Sequence, residues 1–184
     1  MNFEENAIPN SYWVIPDQFM AGPYPSAIRD SEAHLKAGWL IQNGFSFFLD
    51  LTEPGEYGLE PYAPLLLLMT AENEDTVTHK RISIRDLDTP TREEMVQILD
   101  TIDAALESGH KIYLHCYGGI GRTGTVIGCH LVRHGMDSET ALGQIASWRQ
   151  DIPNGWRRSP ETEEQRQFVL GWIELARDLI PPML

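Results

Sequence analysis

Only two cysteines, Cys116 and Cys129, occur in the 184 residues. So few argue against a disulfide framework and for a reducing compartment, with the cytoplasm as the expected setting. Long apolar runs are missing as well. The longest, Leu65-Leu66-Leu67-Leu68-Met69, falls far short of the roughly 20 residues a membrane-spanning helix needs. The N-terminal Met1-Asn2-Phe3-Glu4-Glu5-Asn6 is acidic and carries no apolar core of the kind a secretory signal has. Basic residues are scarce: 14 Lys and Arg against 27 Asp and Glu leave a formal net charge of −13. Such a surface repels nucleic acid and anionic lipid, so neither is an expected partner. A few arginines gathered in one pocket can still invert the field locally. Repeats, low-complexity tracts and Pro/Gly/Ser linkers are also absent, so the length reads as one domain with its core over about 12–180.

What is present is an alternation of strand-like and helix-like segments. Residues 12–22 read as two short strands broken at Pro16-Asp17, 31–43 as a helix stopped by Gly44, and 45–51 as an apolar strand. Residues 61–71 read as a further helix and 81–84 as a strand. Thr91 and Glu94 form a capping box ahead of a helix whose Met95, Ile98, Leu99, Ile102 and Leu106 share one face. After Gly109, residues 111–116 read as a strand of alternate burial, followed by a glycine-rich turn and a helix over 122–134 stopped by Gly135. Ala141, Leu142, Ile145 and Trp148 mark another helical face, and Phe168, Trp172, Leu175 and Leu179 mark the last. Strands alternating with helices, then helices only, predict an α/β fold with a central, mainly parallel sheet flanked by helices.

The chemistry concentrates in His115-Cys116-Tyr117-Gly118-Gly119-Ile120-Gly121-Arg122-Thr123-Gly124. A strand ends, a glycine-dense loop turns, and a helix begins. That arrangement aims several backbone N–H groups and a helix N-terminus at one spot, which makes an anion site. A cysteine at the start of such a loop sits in a positive field that favours its thiolate. An arginine six residues on offers two parallel N–H donors to a phosphate. A thiolate nucleophile and an oxyanion cradle in one loop imply displacement at phosphorus through a cysteinyl-phosphate.

Rival readings use the same residues. Gly119-Ile120-Gly121-Arg122-Thr123-Gly124 matches the spacing of a dinucleotide-binding fingerprint, with Glu139 downstream. That acidic residue would have to end a second strand, whereas 137–149 carries helical periodicity. A P-loop needs Lys-Ser/Thr after its last glycine, and Thr125 stands there instead. His115, Cys116, Cys129 and His130 make poor zinc ligands, because the paired positions are adjacent rather than two to four apart. Cys129 reads as a small residue on a buried helix.

His-Cys-x5-Arg-Thr-Gly at 115–124 resembles the signature of the protein tyrosine phosphatase superfamily. Within it the loop is most similar to the dual-specificity branch, of kinase-associated and Cdc-type phosphatases and their bacterial relatives. The likeness runs more weakly over about 12–172. It implies a dual-specificity-phosphatase-like α/β domain that requires no metal or organic cofactor. Cys116 would be the nucleophile, Arg122 the phosphate clamp, and the amides of Tyr117, Gly118, Gly119, Ile120 and Gly121 the cradle. Asp86-Leu87-Asp88-Thr89-Pro90 matches the branch's Asp-x-x-x-Pro loop, which makes Asp86 the general acid, with Asp88 the neighbouring alternative. The resemblance further implies that His115 orients the loop and that Thr123 steadies the departing thiolate. It also implies that the segment containing Glu161 and Gln165 positions the hydrolytic water. Glu161 stands where classical members have glutamine, and Gln165 fits the second glutamine of that segment better, which leaves both as candidates for the water. Arg157-Arg158 reads as a solvated pair or as a contact for a second anionic group. The expected substrate is phosphotyrosine or phosphothreonine in a protein. A small phosphorylated compound such as an inositol phosphate, and a phosphate-binding module without turnover, are the other readings.

Overall fold

The computed structural model describes residues 8–25, 30–71 and 76–174. Leu175, Leu179 and the acidic segment 1–6 lie outside these residues. Strands β1 (Tyr12–Ile15) and β2 (Phe19–Gly22) form a hairpin through Asp17, whose φ of 60° makes the tight reversal. Helix α1 (Asp30–Gln42) ends at Gly44, where φ is 80°, and leads into β3 (Phe45–Asp50). A single 3-10 turn (Glu56–Gly58) and helix α2 (Ala63–Thr70) follow, then β4 (Thr78–Arg81). The remaining elements are α3 (Arg92–Glu107), β5 (Lys111–His115), α4 (Gly121–Arg133), α5 (Ser138–Arg149) and α6 (Glu163–Leu170).

The strands form one sheet in the order β1-β2-β5-β3-β4, antiparallel only between β1 and β2. Side chains alternate across it with the period of two that the pleat imposes. Phe19, Ala21, Phe47, Leu49, Ile112 and Leu114 face a core closed by α3 to α6. Met20, Phe48 and Tyr113 face the opposite core, against Ala37 and Leu40 of α1 and Leu66 of α2. The expected single α/β domain with a mainly parallel sheet is therefore observed.

Three readings need correction. The helix expected through Phe168 and Trp172 ends at Leu170, and 171–174 are not helical. The strand expected over 81–84 lies at Thr78–Arg81, paired in parallel with Phe47–Asp50. Its Thr-His-Lys-Arg sequence is polar because β4 is an edge strand, where only partial burial is asked of it. Ile82 and Ile84 then continue as extended backbone, their amides donating to Asp50 and Leu51. Nor does β5 alternate between buried and exposed: Ile112 to His115 are all buried. It is the central strand, covered by helices on both faces, so both sets of side chains must be apolar or internally bonded. Its position puts the loop at 116–120 at the carboxyl edge of the sheet, between neighbours β2 and β3, where parallel sheets present ligand sites.

Candidate active site

The loop after β5 is held from outside by its carbonyl oxygens. His115 O accepts from Leu51 N at 2.9 Å, and Tyr117 O from Tyr24 N at 3.0 Å. Gly119 O accepts from Arg149 Nη1 at 3.0 Å, and Ile120 O from Ser159 Oγ at 2.7 Å. In a planar trans peptide the N–H points opposite to the C=O. With these carbonyls turned outward, the following amides, among them Cys116, Gly118, Ile120 and Gly121, turn inward. Gly119 makes the turn possible: its φ is 68°, and a Cβ there would collide with the backbone of Gly22. Helix α4 starts directly from the loop with no side-chain cap at Ile120, whereas α3, α5 and α6 are capped by Thr91, Asp137 and Thr162. The first turn of α4 therefore offers its N–H groups to the same centre.

Cys116 and Arg122 are both buried, at 3% and 1% exposure, and both line a cavity of about 230 Å³. The Arg122 guanidinium is fixed on one side by Glu56, through Nη1 at 2.7 Å and Nη2 at 2.6 Å. Nη1 also donates to Ile84 O at 2.9 Å. Burial opposes its charge, but the hydrogen bonds to Glu56 and the neighbouring Cys116, Glu56 and Asp86 outweigh this and raise its pKa above the ordinary value. Its Nε makes no protein hydrogen bond.

Asp86 reaches Arg122 Nη2 with Oδ1 at 2.8 Å and accepts from the Tyr57 hydroxyl with Oδ2, also at 2.8 Å. It lines the cavity, and Asp88 does not. The Asp88 side chain accepts from the adjacent Thr89 N at 2.8 Å, and its carbonyl accepts from Gln165 Nε2 at 3.1 Å. Of the two candidates, Asp86 is thus the one brought to the loop. Tyr57 and Leu87, both on the cavity wall, hold left-handed backbone at φ 51° and 62°. For non-glycine residues this costs roughly 1–3 kcal/mol each and persists only where the surroundings impose it.

His115 stands behind the loop. A hydrogen bond of 2.6 Å joins its Nε2 to the Tyr62 hydroxyl, and Nδ1 lies 3.3 Å from Cys116 O. Nδ1 can bond that carbonyl only as the donor, so Nε2 accepts from Tyr62. Burial pushes the imidazole down to about 4, against the pull of Asp50, and keeps it neutral at pH 7. It tethers the loop and lies too deep to touch a substrate.

The remaining expected residues divide. Tyr117, Gly118, Ile120 and Gly121 line the cavity, while Gly119 faces away from it, into Gly22. Thr123 Oγ1 is buried without a hydrogen bond, so no bond to Cys116 is formed. Glu161 lines the cavity with its carboxylate bonded to Arg157. Gln165 is fully buried beside Gly121; its Oε1 accepts from Glu161 N and Thr162 N, both at 3.1 Å. Arg157 and Arg158 are not equivalent: Arg157 is on the cavity wall, while Arg158 pairs with Glu163 at 3.3 Å.

Three contributors escape the sequence reading. Glu56 and Tyr57 come from the 3-10 turn after β3, and Arg149 is a buried arginine on α5 that braces Gly119. The one available signal was position, since a Pro/Gly-rich loop after a parallel strand lies at the ligand edge of the sheet. Glu56→Ala is expected to unlock Arg122, because removing one partner of a buried ion pair costs roughly 3–5 kcal/mol. Misplacing a clamp by an ångström costs roughly 10²-fold in rate. Urea unfolding and kcat/KM on an aryl phosphate check both effects; wild-type kcat/KM in that variant would remove Glu56 from the site.

A cysteine and an arginine at the two ends of an amide cradle, with an aspartate delivered from a neighbouring loop, place the chain in the class of cysteine-dependent phosphatase folds. Residues 29–136, more than half of the chain, match the family described as "Tc-R-P: Polymorphic toxin system, DSP-PTPase phosphatase". The chain belongs to this family. It is 29% identical over 167 residues to protein 067L of Invertebrate iridescent virus 3, whose name assigns it provisionally to the tyrosine phosphatases. That match covers 85% of this chain and 62% of the viral protein. Tyrosine-protein phosphatase CDC14 of Candida albicans is 27% identical over 98 residues, 49% of this chain and 18% of CDC14. The chain thus spans less than two thirds of the length of these relatives. Among solved structures, Tk-PTP in its active form shares the fold with a TM-score of 0.65 at 23% identity, over 88% of this chain and 94% of that one.

Proposed function

We propose that the protein hydrolyses phosphomonoesters through a cysteinyl-phosphate, on phosphotyrosine or phosphothreonine in proteins. The observation that carries this is the convergence of Cys116, Arg122 and Asp86 on one cavity. A phosphate seated on Arg122 Nε and Nη2 and on the inward amides replaces the Asp86 carboxylate at Nη2. Cys116 Sγ attacks phosphorus, the bond to the ester oxygen breaks, and Asp86 gives that oxygen its proton. Water then attacks the thiophosphate, the S–P bond breaks, and Asp86 takes the proton back. We assign that water to Gln165, which lines the cavity beside Gly121, rather than to Glu161, whose carboxylate is engaged by Arg157. Both cysteines are free, as a thiolate enzyme of a reducing, cytoplasmic setting requires.

The charge of the cavity supports a single phosphate on a peptide over a polyphosphorylated head group. Its wall holds two guanidiniums, Arg122 and Arg157, matched by two carboxylates, Asp86 and Glu161. Lys80, which donates to Thr101, Arg81, which pairs with Asp50, Arg158, which pairs with Glu163, and Arg85 do not line the cavity. A polyanion asks for surplus positive charge, which this wall does not have. The rings of Tyr57 and Tyr117, 5.1 Å apart and both exposed, form an aromatic flank at the mouth that favours an aryl ester.

Matched series of phosphopeptides, soluble inositol phosphates and phosphoinositide micelles at physiological salt separate these substrates. Phosphopeptides are expected to be preferred by tenfold or more in kcat/KM, about 1.4 kcal/mol of transition-state binding. A tenfold preference for either inositol class overturns the assignment.

A further inference from the structure

Helix α4 carries Arg122 in its first turn, and its other end holds a second cluster of chemistry-bearing groups. His130 and His134 are four residues apart and so share one face, with ring centroids 4.4 Å apart. Asp103 of α3 faces them: its Oδ1 is 3.1 Å from His134 Nε2 and 3.9 Å from His130 Nδ1. One ligand atom from each of the three residues lies within 4.8 Å of the other two. His130 is 3% exposed, and its Nδ1, aimed at Asp103, has no hydrogen-bond partner. A buried imidazole nitrogen without a partner requires an explanation. Packing alone does not supply one, since an apolar side chain would fill the same space against Phe19 without an unsatisfied nitrogen.

We propose that Asp103, His130 and His134 form a site for a zinc-class divalent cation, separate from the phosphatase centre. Two imidazoles and one carboxylate are a donor set zinc takes readily, with water in the fourth position. Bonds of about 2.1 Å in tetrahedral geometry put donor atoms roughly 3.4 Å apart, and the 3.1 and 3.9 Å separations here bracket that spacing. The second Asp103 oxygen accepts from Arg133 Nη1 at 2.9 Å, an outer bond that fixes the carboxylate's orientation and keeps Oδ1 turned to the imidazoles, where a cation would replace its hydrogen bond with His134 Nε2. Arg133 also pairs with Asp100 and Glu174. Three carboxylates against one guanidinium leave two negative charges in excess, a field that attracts a dication. Adjacent placement of His115 and Cys116 argued against zinc from sequence; the structure pairs His130 with different residues, one of them from another helix.

The site is remote from turnover. Twelve residues of helix separate His134 from Arg122, about 18 Å along the axis. A cation there ties α3 to the end of α4, and its expected effect is on stability.

The test uses untagged Cys116→Ser protein, stripped with a chelator, so that no thiolate competes for metal. Zinc titrated by calorimetry is expected to bind at one per chain, and cobalt(II) to develop the visible bands of a four-coordinate nitrogen/oxygen site. At zinc about 100 times Kd, Tm is expected to rise by roughly 5–10 °C. His134 is half exposed, so His134→Ala should fold, as should the isosteric Asp103→Asn; each is expected to weaken zinc by at least roughly 10-fold. The Tm of each metal-free variant verifies its folding independently. Absence of saturable zinc binding, or an affinity unchanged in both variants, overturns the site. Neither result bears on the phosphatase reading, which is assayed with Cys116 intact.

Discussion

Cys116→Ser is expected to lower turnover of an aryl phosphate by on the order of 10⁴–10⁶-fold, the scale of loss when the nucleophile of a covalent enzyme is removed. A hydroxyl in place of the thiol must lose its proton to attack, and a general base within reach is needed for that. Of the described residues on the cavity wall, Asp86 is expected to enter this step already protonated and Glu161 is engaged by Arg157, while the His115 ring lies behind the loop, bonded to Tyr62 and to the Cys116 carbonyl. The cradle depends on none of this. Its carbonyls are held by Leu51, Tyr24, Arg149 and Ser159, and its guanidinium by Glu56. Phosphate or tungstate should therefore bind the variant about as well as the parent protein, measured by calorimetry beside kcat. Retention of more than a few per cent of activity would eliminate the covalent mechanism. Loss of both turnover and oxyanion binding would instead mean the loop had collapsed, a result that Cys116→Ala would then have to separate from chemistry.

Asp86→Asn is expected to slow alkyl and other poorly departing esters by roughly 10²–10⁴-fold, the usual worth of general-acid catalysis. Esters with good leaving groups, which depart without a proton, should be much less affected. An amide keeps the shape: its oxygen can still accept from Arg122 while its NH2 donates to the Tyr57 hydroxyl oxygen, so the loop remains in place while the proton is lost. A plot of log kcat/KM against leaving-group pKa checks this: the variant should show a steeper negative slope than the parent. Asp88→Asn is the internal control. Among the described residues its side chain accepts only from the neighbouring amide of Thr89, outside the cavity, so its plot should overlay the parent's. The reverse pattern would move the acid two residues along the chain.

The left-handed Tyr57 and Leu87 give these two experiments a common background. Both residues flank Asp86, one through its hydroxyl and one through the backbone, in turns that a relaxed chain would avoid. The conformation that brings Asp86 to Arg122 is therefore held by its surroundings, among them the Gln165 bond to Asp88 O and the capping of α6.

Local features were readable because each is written in a few neighbouring residues. The capping box at Thr91 and Glu94, the stops at Gly44, Gly109 and Gly135, and the strand-loop-helix around Cys116 all depend on short-range sterics and hydrogen bonds. The same holds for the cysteine and arginine, which share one turn and need no other element to meet. Reading failed where burial depends on which strand lies beside which. The composition of β4 looks like a loop until it is seen as an edge, and β5 looks amphipathic until two helical layers close over it.

By itself, then, the sequence determined the α/β class and most of the elements, and it singled out Cys116 and Arg122, because propensity, capping and the glycine-rich turn act within a few residues. Tertiary structure alone decided what surrounds them. Glu56 reaches Arg122 across 66 residues, Tyr57 reaches Asp86 across 29, and Arg149 braces Gly119 across 30. It also decided that Asp86 rather than Asp88 faces the loop, and that Arg157 enters the wall while Arg158 turns to Glu163. The reason is that no periodicity or spacing encodes a contact between separate loops. Such contacts exist only once the parallel order of β2, β5, β3 and β4 has gathered the loops at one edge of the sheet.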